Sequence, residues 1–265
     1  MNPRLLARTF GSEWAKLWSV RSTWWCLAAA TVLTVLSALT LAGATAADIT
    51  NGRRPAVPFE VSESVVSATI FVQFALTALA MLAVTSEYSS GLIRGTLQAT
   101  PVRGRVLAAK ALVLVPVMFV AGVLAGALAA VVNYAALSID VFGGYATLTL
   151  GETLADLASS GVFYALIALL TIGLGAAMRS AAGTLTAVFM LVMGLPLTLA
   201  MSGSAAALEI SMRMPMFAGL AFMRSTDNLT GGLIPYSALE GLAWLVGWAA
   251  AALVAGYVVL RRRDA

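Results

Sequence analysis

The chain has 265 residues, of which 60% are hydrophobic and only 11% carry a charged side chain. A soluble domain has about 25% charged residues, so a surface exposed to water on all sides is excluded by composition. With a mean hydropathy of +0.93, most of the chain is expected to face lipid or other buried helices. We attribute the formal charge of +4 to cationic cytoplasmic loops, and no nucleic-acid partner is predicted.

The chain has one cysteine, Cys26, and no histidine. A disulfide within the chain is therefore impossible, and a cluster of Cys and His ligands for a metal ion is excluded. No metal site, cofactor site or catalytic residue is predicted from these residue types.

Residues 1–22 are predicted to form a cytoplasmic amphipathic helix. At about 100° per residue, Leu5 to Ser19 separates into two faces. One face gathers Leu6, Phe10, Trp14, Leu17 and Trp18, and the other gathers Arg4, Arg8, Ser12, Lys16 and Ser19. Aromatic anchors opposite a basic face are typical of a helix that lies in the membrane interface. Either this helix is only an anchor, or its polar face also contacts a cytoplasmic partner.

Residues 23–265 are predicted to form one membrane domain, because a helix that crosses a bilayer needs roughly 20 apolar residues. Six stretches qualify, and the fold class is therefore an all-α polytopic membrane protein. The predicted spans are Trp24 to Gly43, Ser64 to Val84, Val106 to Leu137, Leu157 to Met178, Thr184 to Met201 and Ala238 to Leu260.

Arginine and lysine positions predict the orientation of these spans. If the N-terminus is inside, 12 of the 16 basic residues fall in inside segments and only Arg53, Arg54, Arg213 and Arg224 fall outside. Basic residues are enriched in cytoplasmic loops, so both termini are predicted to be cytoplasmic.

The inside loop of residues 85–105 has a distinctive sequence. Gly91 and Gly95 permit tight turns or close backbone approach, and a short helix is predicted from Ser90 to Ala99. Pro101 is expected to end it, because a residue before proline avoids the helical region. The loop is either a plain cationic loop or a coupling element presented to a soluble motor domain.

The outer segment of residues 203–237 precedes the last span. It contains ten apolar residues from Met214 to Met223, between Arg213 and Arg224. Ten residues are too few to cross a bilayer, so a re-entrant or interfacial segment is predicted. The alternative is an ordinary outer loop with an apolar patch.

Motifs for chemistry are missing from the sequence. A phosphate-binding Walker A loop ends in Lys-Ser or Lys-Thr, but Lys16 precedes leucine and Lys110 precedes alanine. The predicted spans also lack deep acidic residues, which ion-coupled carriers usually place near the midplane. We therefore predict that the chain is not an enzyme and that any energy source is external.

The loop residues Glu87, Gly91, Leu97, Pro101, Arg103, Leu107 and Lys110 form a pattern. This pattern resembles that of the ABC-2 permeases, the membrane subunits of bacterial ABC exporters. The leader from Ser12 to Trp24 and the six-span layout resemble that family too. Tyr88 departs from it, since the family often has a second charged residue there.

The resemblance implies a function as well as a fold. The chain would be the permease subunit of an ATP-driven exporter in the bacterial cytoplasmic membrane, moving a hydrophobic or amphiphilic drug, antibiotic, peptide or lipid. A separate ATPase subunit would bind the ATP and Mg, and a second copy or a sister permease would complete the pathway. A non-transporting membrane immunity or sensor protein is the alternative.

The resemblance also implies roles for particular residues. The loop would dock on the ATPase as a coupling helix, and the leader would be the connecting helix. The implied coupling residues are Glu87, Tyr88, Gly91, Arg94, Thr96 and Arg103, and those of the connecting helix are Glu13 and Lys16.

Overall fold

A computed structural model describes residues 3–99, 102–139, 144–225 and 234–262 of the chain. These residues form helices joined by short connections. The helices are α1 (Pro3–Ser19), α2 (Arg21–Thr50), α3 (Val61–Ser89), α4 (Leu92–Ala99), α5 (Arg103–Leu137), α6 (Leu150–Met178), α7 (Ala181–Phe189), α8 (Leu195–Ala200), α9 (Ala205–Met212), α10 (Pro215–Phe222) and α11 (Ala238–Arg262).

Among the described residues, six helical segments are long and apolar enough to cross a membrane. They are α2, α3, α5, α6, the stretch Ala181–Ala200 and α11. This agrees with the six predicted spans and with a multi-pass membrane protein. Helices α9 and α10 would be long and apolar enough together, but they are bent by 63° relative to each other.

Most of the helices extend beyond the apolar runs that predict them. Helix α2 ends at Thr50 and α6 begins at Leu150, each seven residues beyond the predicted bound. Helix α5 continues through Pro116 without interruption.

The fifth span contains a π-helical turn at Met190–Gly194. Pro196 follows it at the start of α8, where a proline has no amide hydrogen to donate to a preceding turn.

Helices α3 and α6 form the centre of the bundle. About 72% of the apolar stretch of α3 and 67% of that of α6 is buried, against 22% for α2 and for α11. All of these helices are apolar, so hydropathy alone does not reveal which of them occupies the centre.

Glycines bring several helices close together. A β-carbon on Gly122 of α5 would lie 2.4 Å from the Tyr164 ring of α6. A β-carbon on Gly173 of α6 would lie 2.3 Å from the backbone of Ala252, and one on Gly256 would lie 2.4 Å from the Gly173 carbonyl oxygen. Helices α6 and α11 therefore touch backbone to backbone, as small residues allow between membrane helices. We call this contact the glycine seam.

The two ends of the bundle differ. At one end, strands β1 (Phe59–Glu60) and β2 (Ala146–Thr147) form a short parallel pair, the one departure from all-α structure in the described residues. At the other end, Arg103 of α5 donates to the Leu260 carbonyl oxygen of α11 at 2.6 Å. Helix α1 also packs against α5 at this end.

Candidate functional site

Both lysines of the chain enter one cluster with two glutamates, which we call the charge ring (Glu13, Lys16, Glu87 and Lys110). The Lys16 ammonium lies 2.7 Å from Glu13 Oε1 and 2.9 Å from Glu87 Oε1. The Lys110 ammonium lies 2.6 Å from Glu13 Oε2 and 2.8 Å from Glu87 Oε1. The four charges alternate in sign around a closed circuit that joins α1, α3 and α5.

Local structure explains how these side chains meet. In α1, Thr9, Glu13 and Leu17 are buried, and their spacing of four residues puts them on one face. Glu87 lies in the last turns of α3, and Lys110 lies in the second turn of α5. The short connection between α3 and α5 returns the chain to the same end of the bundle, so both side chains reach α1.

The ring is buried, and its charges are balanced. Glu13, Glu87 and Lys110 are each about 5% exposed, whereas the Lys16 side chain is 43% exposed. Removing a charge from water costs several kcal/mol unless close partners compensate it. Lys110 has three partners, since it also donates to the Ala83 carbonyl oxygen at 3.0 Å.

One atom of the ring has no partner. Glu87 Oε1 accepts from both lysines, but Glu87 Oε2 is buried with no hydrogen bond. Buried polar atoms in folded proteins nearly always have a partner. The unsatisfied oxygen therefore indicates a position that a further hydrogen-bond donor would stabilise.

Lys16 keeps its charge throughout the ordinary pH range. Partial burial alone would lower the pKa of its ammonium, but hydrogen bonds and charge attraction to Glu13 and Glu87 outweigh this effect. The pKa of Lys16 is therefore raised above its ordinary value, and Lys16 stays charged near neutral pH.

The predicted loop helix is present as α4 and is tied to the ring. The Thr96 hydroxyl accepts a hydrogen bond from Lys16 at 3.4 Å and donates to the Leu92 carbonyl oxygen. Gly91 lies before α4 with φ of +74°, a conformation that side chains disfavour. The predicted stop at Pro101 lies outside the described residues, as does the side chain of Arg94.

The other predicted loop residues lie on the ends of long helices. Tyr88 is half-buried at the end of α3, with the Arg179 guanidinium 5.5 Å from its ring centre. Arg103 begins α5 and bonds to the end of α11. Glu87 is buried in the ring instead of being presented on a loop surface. The exposed residues here include Gly91, Leu92, Gly95 and Gln98.

The sequence interpretation did not include Lys110 among the site residues. A signal was present, since Lys110 is one of only two lysines in a chain with 14 arginines. It also begins an otherwise apolar stretch of α5. A cation in such a position needs a buried partner, which a search among the nearby glutamates would have suggested.

No protein-family model matches this chain, and no curated protein matches it either. The site is therefore interpreted from its own geometry.

A cavity of about 490 Å³ lies beside the charge ring, between α1, α3 and α5. All four ring residues line it, together with leucines and valines of the three helices and five serines. Its volume falls within the range of small-molecule sites, about 300–1,000 Å³. Among the described residues, no group of three His, Cys, Asp or Glu side chains is placed to hold a metal ion.

Proposed function

We propose that this chain is the membrane-spanning subunit of an ATP-driven exporter, energised by a separate ATPase that docks on α4. The observation that carries the proposal is the charge ring. It joins α1 and α4, the two segments that the sequence interpretation assigns to coupling, to the long helices α3 and α5.

The charge ring would transmit a displacement of α4 directly to the bundle. Lys16 contacts Thr96 of α4, Glu13 of α1 and Glu87 of α3, and Lys110 extends the contacts to α5. These bonds lie at 2.6–2.9 Å apart from the longer contact to Thr96. A motor that pushes on the exposed face of α4 would therefore move α1, α3 and α5 together.

In the proposed arrangement, the ring end of the bundle lies on the cytoplasmic side of a bacterial membrane, with both termini inside. The basic residues Arg21, Arg105, Arg261 and Arg262 lie on helix ends near the ring end, as expected for a cytoplasmic face.

We also propose that α1 lies in the membrane interface as an amphipathic helix. Its aromatic residues form a continuous row, with ring centres 6.2 Å apart for Phe10 and Trp14 and 5.6 Å apart for Trp14 and Trp18. Phe10, Trp14 and Trp24 are exposed, whereas Leu17 faces the protein. Tryptophan exposed in this way is typical of the membrane interface.

The bent pair α9 and α10 is proposed to be a re-entrant element before the last span. Met216, Phe217 and Leu220 of α10 are almost fully buried, which suits a short apolar helix that enters the membrane region inside protein. The predicted segment continues through residues 226–233, which lie outside the described part of the chain.

The complete transporter would contain two membrane subunits, either two copies of this chain or this chain and a sister permease. Its substrate would be a hydrophobic or amphiphilic molecule. The partner ATPase would hold the ATP and Mg, and this chain would hold neither.

The test is capture of an ABC-type ATPase co-expressed from the same genome, measured by co-purification in mild detergent and by stimulated ATP hydrolysis. The informative variant is Gly95→Trp, because Gly95 is exposed on α4 and an added β-carbon there meets nothing within 4 Å. We expect it to abolish capture without reducing expression, because a large ring would obstruct the docking face.

Gly151→Trp is the matched control. Gly151 is also exposed, with nothing within 4 Å of an added β-carbon, but it lies at the opposite end of the bundle. The proposal is wrong if wild type captures no ATPase, and the docking face is misplaced if both variants behave alike. Failure to capture would favour the immunity or sensor alternative.

A further inference from the structure

The cavity beside the charge ring has the composition of a binding site for an amphiphile. Its apolar walls include Leu17 of α1, Leu79 and Leu82 of α3, and Val113 of α5. Its polar wall consists of the charge ring, five serines and Thr23, whose hydroxyl donates to the Leu17 carbonyl oxygen. An apolar body with a small number of polar groups at one end matches this division.

The polar wall has few hydrogen-bond donors left to offer. An ammonium has three donors. Those of Lys16 go to Glu13, Glu87 and Thr96, and those of Lys110 go to Glu13, Glu87 and the Ala83 carbonyl oxygen.

Hydroxyl groups on this wall also donate to the protein. Ser19 donates to the Lys16 carbonyl oxygen, and Ser89 and Ser90 both donate to the Ser86 carbonyl oxygen. The hydroxyls of Ser22 and Ser86 are left to donate, whereas every serine oxygen and Glu87 Oε2 can accept, so acceptors outnumber free donors on this wall.

Glu87 Oε2 is the strongest of these acceptors, because it is a carboxylate oxygen with no partner. It is covered by its neighbours, yet Glu87 is part of the cavity wall. The last torsion of a glutamate is soft, and rotation about it is the movement by which this oxygen would reach a ligand. A ligand that donates a hydrogen bond would satisfy it.

The charge of the wall decides which donor fits. The charged residues that line the cavity are Glu13, Lys16, Glu87 and Lys110, and their charges sum to zero. An added ammonium would give the balanced wall a net positive charge beside two lysines, and an added carboxylate would meet an unpaired carboxylate oxygen. A hydroxyl group donates without either repulsion.

The cavity volume limits the size of the ligand. A cavity of about 150 Å³ holds benzene, which has six carbons. By the same ratio, about 490 Å³ holds roughly twenty non-hydrogen atoms. This is the size of one medium-length acyl chain with a small head, and it is too small for two chains.

We propose that this cavity binds an uncharged single-chain amphiphile, whose hydroxyl head donates to Glu87 and whose hydrocarbon chain lies against Leu79, Leu82 and Val113. The site needs no ATPase, although it adjoins the proposed docking face, because Leu92 at the start of α4 is part of the cavity wall. Its occupant would lie between α1 and the bundle, beside the ring that joins them.

The test uses the full chain alone in detergent micelles, labelled with a diazirine-bearing analogue of monomyristoylglycerol. We expect saturable labelling of residues 79–92, located by mass spectrometry. Unlabelled monomyristoylglycerol should compete about ten-fold better than tetradecylamine or myristate, because an unmatched charge beside buried, already balanced charges is costly. Dimyristoylglycerol, the membrane lipid with two chains, should compete poorly because of its size.

Two variants that fill the cavity from opposite walls keep the result interpretable. Leu82→Trp acts from α3, and Val20→Trp acts from the junction of α1 and α2, where Val20 is half exposed. Each should reduce labelling at least five-fold. Leu112→Trp is the control, because Leu112 is exposed on α5 and does not line the cavity.

The proposal is overturned if labelling does not saturate, or if Leu82→Trp and Val20→Trp both label like the Leu112→Trp control. It is also overturned if myristate or tetradecylamine competes equally well, or if dimyristoylglycerol does. These outcomes are independent of ATPase capture, which is measured without the probe.

Discussion

The charge ring and the glycine seam hold helices together in opposite ways. In the ring, charged side chains up to 97 residues apart in sequence join α1, α3 and α5 at the edge of the bundle. In the seam, α6 and α11 meet through their backbones at Gly173 and Gly256. Ion pairs can reform after a shift, whereas a close-packed backbone contact cannot slide without a clash. We therefore expect the attachment of α1 through the ring to be adjustable and the contact between α6 and α11 to be fixed.

Lys110→Met should have the largest effect on stability. It leaves Glu13 and Glu87 buried with only the partly exposed Lys16 as their cation, and breaking a buried pair costs about 3–5 kcal/mol. We expect a large fall in the apparent unfolding temperature in detergent, together with release of α1 to proteolysis.

Arg261→Met is the control for this variant, since Arg261 is exposed at the end of α11. Surface substitutions usually change stability by less than about 0.5 kcal/mol. Equal stability of the two variants would show that the ring does not hold α1.

Gly173→Ala should have the next largest effect, and it acts on the seam. The new methyl group would lie within 2.3–2.5 Å of the backbone of Ala252 and Leu253, so α6 and α11 must separate. Overpacking of this kind typically costs about 1–3 kcal/mol. The measurement is the unfolding temperature of the purified chain, with α1 expected to remain resistant to protease.

Gly247→Ala is the matched change on α11, because a β-carbon there meets nothing within 4 Å. It should leave stability unchanged or slightly increase it, as alanine favours a helix over glycine. If Gly173→Ala is equally harmless, the two helices are not in the close contact described.

The sequence predicted the long helices well because each depends mainly on its own apolar residues. The six spans and the short helix α4 follow from run length and from glycine and proline positions. Pairing between helices is different, because it depends on which faces meet. The lengths of the apolar runs do not indicate that Glu87 faces Lys110, or that Gly173 lies against Ala252.

The candidate site was predicted only in part, because its residues come from different helices whose pairing the sequence does not show. Glu13, Lys16, Glu87 and Thr96 were selected from the leader and the loop, and the structure brings them together. The coupling role of Glu87 and Thr96 and the connecting-helix role of Glu13 and Lys16 remain predictions, and Glu87 and Glu13 are buried. Lys110 was missed because a positive charge after a cytoplasmic loop already has an explanation in membrane topology.

The smallest expected effect concerns the pH dependence of the α1 attachment. The pKa of Lys16 is raised in the folded chain, so its contribution is fully present below the unfolded pKa of about 10.4. It is lost only as pH rises through the higher folded value. Protection of α1 amides from hydrogen exchange, after correction for the intrinsic rate, should therefore stay constant from neutral pH to about 10 and fall above that.

Lys16→Met removes the titrating group and identifies the cause of that fall. Because Lys16 is partly exposed, solvent screening limits its contribution, and the variant should fold with slightly lower protection of α1 at neutral pH. Its protection should no longer change with pH in the region where the wild type weakens. A fall in wild-type protection near pH 8 would contradict the geometry, because a lysine stabilised by Glu13 and Glu87 stays charged there. Such a result would mean that Lys16 does not pair with both glutamates in solution.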